Sequence, residues 1–183
     1  MAGGEVRTDI PVCRWPGGWE GNLRHAAVDS IIVNRSGTHY LLVLRSGGEI
    51  EGDLWALAGG YVDQGKSVVE TVKAENAEEA GVRKMGSLAL FRVVDNPDRY
   101  KETAGNIAFV FVSVVDDPEE YGDVAVTDPD GGTQLARWFP KDERPRGDAM
   151  AFDHGLILDA FEADPTTYPL DVFMPRYPTQ PAA

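Results

Sequence analysis

The sequence predicts an α/β layered domain, a sheet covered by helices, on three observations. Apolar runs of strand length lie at 27–33, 39–45 and 54–57, and again at 88–94 and 107–115, around one short, well-marked helix. That order, strands then a helix then more strands, suits a covered sheet rather than a helical bundle. At 183 residues, with 43% hydrophobic and 26% charged residues, the chain is one domain's worth and can bury a real core.

Taken in order, residues 1–22 mix Gly, Pro, Arg and two tryptophans without a clear period. They read as an N-terminal extension that packs in part through Trp15 and Trp19. From His25 the pattern changes: AVDSIIV is strand-like, NRSG is a turn and HYLLVLR is a second strand, a hairpin by composition and spacing. Arg45 closes that second strand and precedes the flexible SGGEIEGD loop. A charged strand end facing water and a ligand contact are both consistent with it.

The helix announces both its ends. Ser67 with Glu70 three residues later is a capping-box pattern, and Gly81 supplies the left-handed residue that commonly closes a helix, so the helix is expected over 68–80. Val68 and Val72 lie on one face, and the same stripe continues through Glu75 and Glu79, with Glu78 one step round. Carboxylates thus occupy apolar positions, in the last turns of a helix whose dipole is negative there, at spacings where they repel one another. Lys73 alone cannot offset three carboxylates, whereas a hard divalent cation that prefers oxygen ligands can. An isolated acidic string of this kind is more often a solvated face, so the residues around it decide.

Gly60, Glu75, Glu78, Glu79, Gly81 and Val82 fall at the positions of the Nudix box, GX5EX7REUXEEXGU, and the chain resembles that superfamily. Lys66 stands where the box has its first glutamate, Ala74 where it has arginine, Asn76 where it has an aliphatic residue, and Ala58 where a proline is common. The resemblance implies a Nudix-type α/β/α sandwich with a mixed sheet. It implies metal binding by Glu75, Glu78 and Glu79 with help from the Gly59 carbonyl. The same three glutamates would be catalytic, with Mg2+ as cofactor and Mn2+ as substitute. Gly60, Arg45 and Arg99 are the substrate-binding candidates it suggests. Losing the first acid and the arginine together orphans no charge. Lys66 is then expected to pair with Asp63 or Glu70.

Further along, Asn96-Pro97-Asp98-Arg99 resembles part of the NPDRDPR segment of ADP-ribose pyrophosphatase-like Nudix proteins and related ADP-ribose-sensing regulators. Residues 136–140, ARWFP, and 151–154, AFDH, are similar to stretches of the same subgroup. Arg99 and His154 are thereby ligand candidates, although a loop ion pair and a helix-start residue are plainer roles. Residues 116–132 carry seven acids and read as a mobile loop. The subgroup takes a catalytic carboxylate from such a loop or from just before ARW, where this chain has Gln134-Leu135. Asp128 and Asp130 are both candidates to replace it. A final helix is expected over 152–163, with Leu156, Leu158, Ala160 and Phe161 available for burial. A proline-rich tail, 164–183, would lie over the domain or a partner through Tyr168, Phe173 and Tyr177. The Nudix domain itself is placed at 23–163.

A formal charge of −13, from 30 acids against 17 bases, argues against nucleic acid or an anionic membrane as main partner. One cysteine, Cys13, excludes an internal disulfide framework and fits a reducing compartment. With no membrane-length apolar run and no signal-peptide pattern at the N-terminus, a cytoplasmic protein is expected. The expected function is metal-dependent hydrolysis of a diphosphate bond in a nucleoside diphosphate linked to another moiety, ADP-ribose or an ADP-sugar preferred. A homodimer is a further implication of the resemblance. The rival is a Nudix-fold module that binds a nucleotide or a protein without hydrolysis, motivated by Lys66, Ala74, Asn76 and Leu135.

Overall fold

Strands form where the apolar runs predict them. A computed structural model describes residues 12–14, 16–22, 24–95, 106–117 and 121–170. Trp15, the segment holding Arg99, and the tail from 171 onward with Phe173 and Tyr177 lie outside the described residues. The order is β1 (Val12–Arg14), β2 (Glu20–Asn22), β3 (Ala26–Asn34), β4 (His39–Arg45), β5 (Trp55–Ala56), β6 (Ala58–Tyr61) and α1 (Val68–Glu78). Then follow β7 (Ser87–Val94), β8 (Ile107–Val115), β9 (Asp123–Val124), β10 (Thr133–Pro140), α2 (His154–Ala163) and β11 (Tyr168–Pro169).

The main sheet runs β11-β7-β8-β3-β4-β10-β9, with β5 on β4 and β6 on β3. It is mixed, because β3 and β8 pair in parallel over their full nine residues and the other pairs are antiparallel. Both central strands read as near-continuous apolar runs because both of their faces are covered. On one face Ile31, Val33, Val110 and Val112 pack against Ile157, Leu158 and Phe161 of α2. On the other, Val28, Phe111 and Leu90 meet Val72 of α1. This is the expected α/β/α sandwich.

One departure from regular pairing makes the site. The second edge of β3 is shared: Ala27 to Ser30 pair with β6, while only Ile32 and Val33 pair with β4. β3 and β4 therefore splay apart, and the glycine-bearing β6 fills the fork.

Several expectations need correction. Leu156 is 71% exposed rather than buried, because α2 turns Ile157, Leu158 and Phe161 to the sheet instead. The 116–132 segment is not simply a mobile loop: β9 pairs with β10, and Thr127 N–H donates to the Glu78 carbonyl at 2.9 Å. The extension forms a small β1-β2 hairpin, and Trp19, 58% exposed, lays its indole against Gly21. Tyr168 and Pro169 add an edge strand to β7, a position where proline is tolerated. Among the described residues no helix is long and apolar enough to cross a membrane.

Candidate active site

The carboxylate helix starts as its sequence dictates. Ser67 Oγ accepts from Glu70 N–H at 3.2 Å and Glu70 Oε2 accepts from Ser67 N–H at 2.9 Å, which closes the capping box. Lys66 pairs with Asp63 at 2.9 Å. The helix ends at Glu78, two residues earlier than expected, with Glu79 as C-cap donating its N–H to the Glu75 carbonyl. Gly81 then takes φ +65°, and a Cβ there would sit 2.8 Å from the Ala125 carbonyl oxygen. The chain thus brings 124–128 over the acidic end of the helix.

Glu79 is tucked against the glycine strand. Its Oε2 accepts from Gly59 N–H at 2.9 Å and its Oε1 accepts from the Thr133 hydroxyl at 3.0 Å. Burial pushes its carboxyl up to about 7, with the negative charge of Glu75 and Asp128 adding to that, while the Gly59 and Thr133 hydrogen bonds oppose it. Glu75 is also pushed to about 7, first by burial, then by the charges of Glu78, Asp128 and Asp130, against Lys66. Its carboxylate lies where a Cβ on Gly60 would be, 2.5 Å from Oε1. Gly59 has no room either, since its Cβ would collide with the Val28 carbonyl oxygen. The two glycines are required by these close approaches.

Asp128 is fixed rather than free to swing: its Oδ1 accepts from Asp130 N–H at 2.9 Å and its Oδ2 from Thr133 N–H at 2.8 Å. Gln134 ties the start of β10 to the other side of the site, donating to the Arg45 carbonyl at 3.0 Å and to Asp53 at 2.8 Å.

An open cleft of about 200 Å³ runs along β6, lined among others by Asp29, Arg45, Gly59, Gly60, Phe152 and His154. Arg45 lies over the Phe152 ring at 4.8 Å from its centroid and donates through Nε to the Ile50 carbonyl at 3.0 Å. It is a cleft wall rather than a strand end facing water. Phe152 holds φ +54°, a left-handed conformation costly for a bulky residue, and its N–H donates to the Glu51 carboxylate. His154, 5% exposed, accepts from Leu57 N–H at its Nδ1 at 3.0 Å, and its Nε2 lies 3.4 Å from Asp29 Oδ1.

The structure therefore brings Glu75, Glu79, Gly59 and Gly60 together, with Glu78 and Asp128 close enough to perturb them and Arg45 on the same cleft as the glycines. Thr133 and Asp29 were not singled out from sequence. Asp29 left one signal, a charged residue inside an apolar strand, whereas Thr133 left none.

The donors suit a hard divalent cation: they are all oxygens, and neighbouring carboxylates raise both pKa values, Glu78 and Asp128 that of Glu75, and Glu75 and Asp128 that of Glu79, a cost that a dication would relieve. Among the described residues no three carboxylates converge as a closed ligand set. Glu79 instead satisfies the Gly59 N–H and the Thr133 hydroxyl.

A stability prediction follows from these two groups. Their carboxyls bind protons more tightly folded than unfolded, so the stability carried by the neutral forms is full below the ordinary 4.5 and is lost as pH rises through about 7. Glu79 alone costs about 3 kcal/mol at pH 8 and Glu75, discounted for the solvent reaching it, adds less, together roughly 10 °C in Tm. Glu162 and Asp164, whose carboxyls are lowered, act only below this window. Without added metal, Tm should fall between pH 5 and 8 in the wild type, and the fall should be largely absent in the Glu75→Gln/Glu79→Gln variant. Equal slopes in the two proteins would refute the pKa assignment.

Comparison with known proteins gives a consistent picture. A family model described as the NUDIX domain matches residues 23–160. Among solved structures, the NUDIX domain of Shewanella oneidensis NrtR complexed with ADP ribose matches with 19% identity and a TM-score of 0.63, over 79% of this chain and 90% of that one. A NUDIX hydrolase from Nitrosomonas europaea matches with 18% identity and a TM-score of 0.64, over 85% and 98%. A bifunctional NMN adenylyltransferase/ADP ribose pyrophosphatase from Francisella tularensis, complexed with AMP and a Mn ion, matches with 19% identity and a TM-score of 0.57, over 78% and 42%. No curated protein matches the sequence.

Proposed function

Since the chain belongs to the NUDIX domain family, whose fold serves pyrophosphohydrolases, we propose that it hydrolyses the diphosphate bridge of a nucleoside diphosphate linked to another moiety. The preferred substrate is ADP-ribose or an ADP-sugar. The observation that carries this reading is the seating of two half-buried carboxylates on the glycine strand that borders the cleft: Glu79 accepts from Gly59 N–H at 2.9 Å and Glu75 fills the space beside Gly60. The structural neighbours solved with ADP ribose and with AMP support the nucleotide class.

In this reading the chain's own residues divide the work. Arg45, its guanidinium braced by Phe152 and the Ile50 carbonyl, presents charge to the phosphates in the cleft. Gly59 and Gly60, having no side chains, let the diphosphate and the Glu75 and Glu79 carboxylates share one strand. Glu75, Glu78 and Glu79, with the Gly59 carbonyl, are the residues that would hold Mg2+, or Mn2+ in its place. A divalent cation held there would neutralise the diphosphate and make water a better nucleophile. Water attacks one phosphorus in line, the bridging P–O bond breaks, and two phosphate monoesters leave. Arg99 remains a proposed substrate contact. We also propose a cytoplasmic homodimer acting on small molecules, without nucleic-acid or membrane partners.

A second reading, nucleotide or protein binding without hydrolysis, is favoured by one observation. Glu79 is already satisfied by Gly59 N–H and the Thr133 hydroxyl.

Substrate preference is tested by a competition panel of ADP-ribose, ADP-glucose, NADH and diadenosine polyphosphate with Mg2+. ADP-ribose or the ADP-sugar should show the highest kcat/KM, by at least about tenfold. A dinucleotide at the top of the ranking would overturn the preference while leaving the reaction class in place.

A further inference from the structure

Three stripes that face one another inside the domain each have a polar residue at the same level. Val28, Ser30 and Ile32 on β3, Phe111 and Ser113 on β8, and Val72 and Asn76 on α1 with Ala80 just past its end point into one layer, and all are buried. Ser30, Ser113 and Asn76 have no solvent exposure. Asn76 Nδ2 donates to Ser113 Oγ at 2.8 Å, and the Ser113 and Ser30 hydroxyls are 2.9 Å apart. A continuous hydrogen-bonded chain thus crosses from the carboxylate helix through β8 to β3. β3 is the strand on which Gly59 and Gly60 are registered, opposite Asp29 and Val28.

Stability alone does not explain this chain. Asn76 Oδ1 is buried without a hydrogen-bond partner, a cost that an aliphatic side chain of similar size would not carry. What a polar chain supplies is direction, since an apolar contact tolerates a helix rolling about its axis and a hydrogen bond does not. Asn76 Nδ2 also reaches Met85 Sδ at 3.3 Å, a weak acceptor beside the Ser113 hydroxyl. Lys66 is engaged by Asp63 and Ala74 has no polar group.

We propose that Asn76 is a positioning residue: through Ser113 and Ser30 it fixes the roll of α1 on the sheet, and so sets Glu75 against Gly60 and Glu79 on the Gly59 N–H. The inference rests on reading Glu75 and Glu79 as the working carboxylates. Asn76 itself touches no substrate. Asn76→Leu removes the chain at nearly constant volume, and Ser113→Ala breaks it with a smaller change should the first variant fold poorly.

The deciding readout is amide hydrogen exchange at Gly59 without metal, alongside kcat, KM and Tm. Exchange at Gly59 should rise about tenfold relative to amides in the β3–β8 ladder, with Tm within a few degrees of wild type. On the best substrate, kcat should fall about tenfold with KM within twofold, because misplacement of a catalytic group acts on turnover. Asn76→Leu/Ser113→Ala should be no worse than either single variant. Unchanged exchange at Gly59 in both single variants overturns the proposal. So does faster exchange at all amides in step with a lower Tm, which is a purely structural role. A wild type that turns over nothing contradicts the proposed function, and the exchange result still decides this one.

Discussion

Glu79→Gln should lower kcat by about 10³-fold and at the same time raise Tm above pH 7. Glutamine keeps the shape and one carbonyl oxygen, so the Gly59 N–H, 2.9 Å from Oε2 in the wild type, can still be satisfied. What disappears is a negative charge that burial, Glu75 and Asp128 all oppose. Removing it relieves the protein of an ionisation that becomes unfavourable near neutrality, hence the gain in stability. The same removal takes away the charge that a divalent cation would meet, hence the loss of turnover. Opposite signs in the two measurements mark a functional residue kept at a cost in stability. A variant within about tenfold of wild-type kcat would show that Glu79 serves only to hold Gly59 and Thr133.

Gly60→Ala and Gly59→Ala should fail in different ways, although the residues are neighbours on one short strand. At Gly60 the new methyl would meet the Glu75 carboxylate, 2.5 Å from Oε1 and 2.9 Å from Cδ. That carboxylate is the end of a flexible side chain and can swing aside, so the fold survives. Turnover should fall about 10²-fold with only a few degrees lost in Tm, because Glu75 is displaced by an ångström or more. At Gly59 the obstacle is the backbone carbonyl of Val28 in the paired strand, with the Asp29 Cα 3.2 Å away, and neither can move without parting β6 from β3. Gly59→Ala should cost about 4 kcal/mol or more and appear as loss of soluble, folded protein. Thermal melts and kcat for both variants check this. Equal losses of Tm would mean that Glu75 is packed too rigidly to swing.

Much of this was legible in the sequence, for identifiable reasons. The capping box and Gly81 are local signals, and the helix they bracket is present to within two residues. The hairpin strands and 107–115 were readable because strands buried on both faces are nearly unbroken apolar runs. What could not be read depends on partners far along the chain. Thr133 meets Glu79 across 54 residues and Asn76 meets Ser113 across 37, with no pattern at either end to announce the pairing. Asn76 read from sequence as a defect in an aliphatic position. Its buried hydrogen-bond chain gives it partners that only the folded sheet supplies. Leu156 was misplaced because hydropathy was weighed without the helical angle that Ile157, Leu158 and Phe161 together define.

The most direct measurement is turnover of ADP-ribose in ¹⁸O-labelled water across a titration of Mg2+ and of Mn2+, with Glu79→Gln alongside. A metal-dependent pyrophosphohydrolase will release two phosphate monoesters, one carrying a single ¹⁸O, with saturable dependence on the cation and near-complete loss in the variant. Folded protein that binds the nucleotide yet releases no phosphate monoester from ADP-ribose, ADP-sugars or dinucleotides at any cation concentration would contradict hydrolysis and leave the binding module as the function.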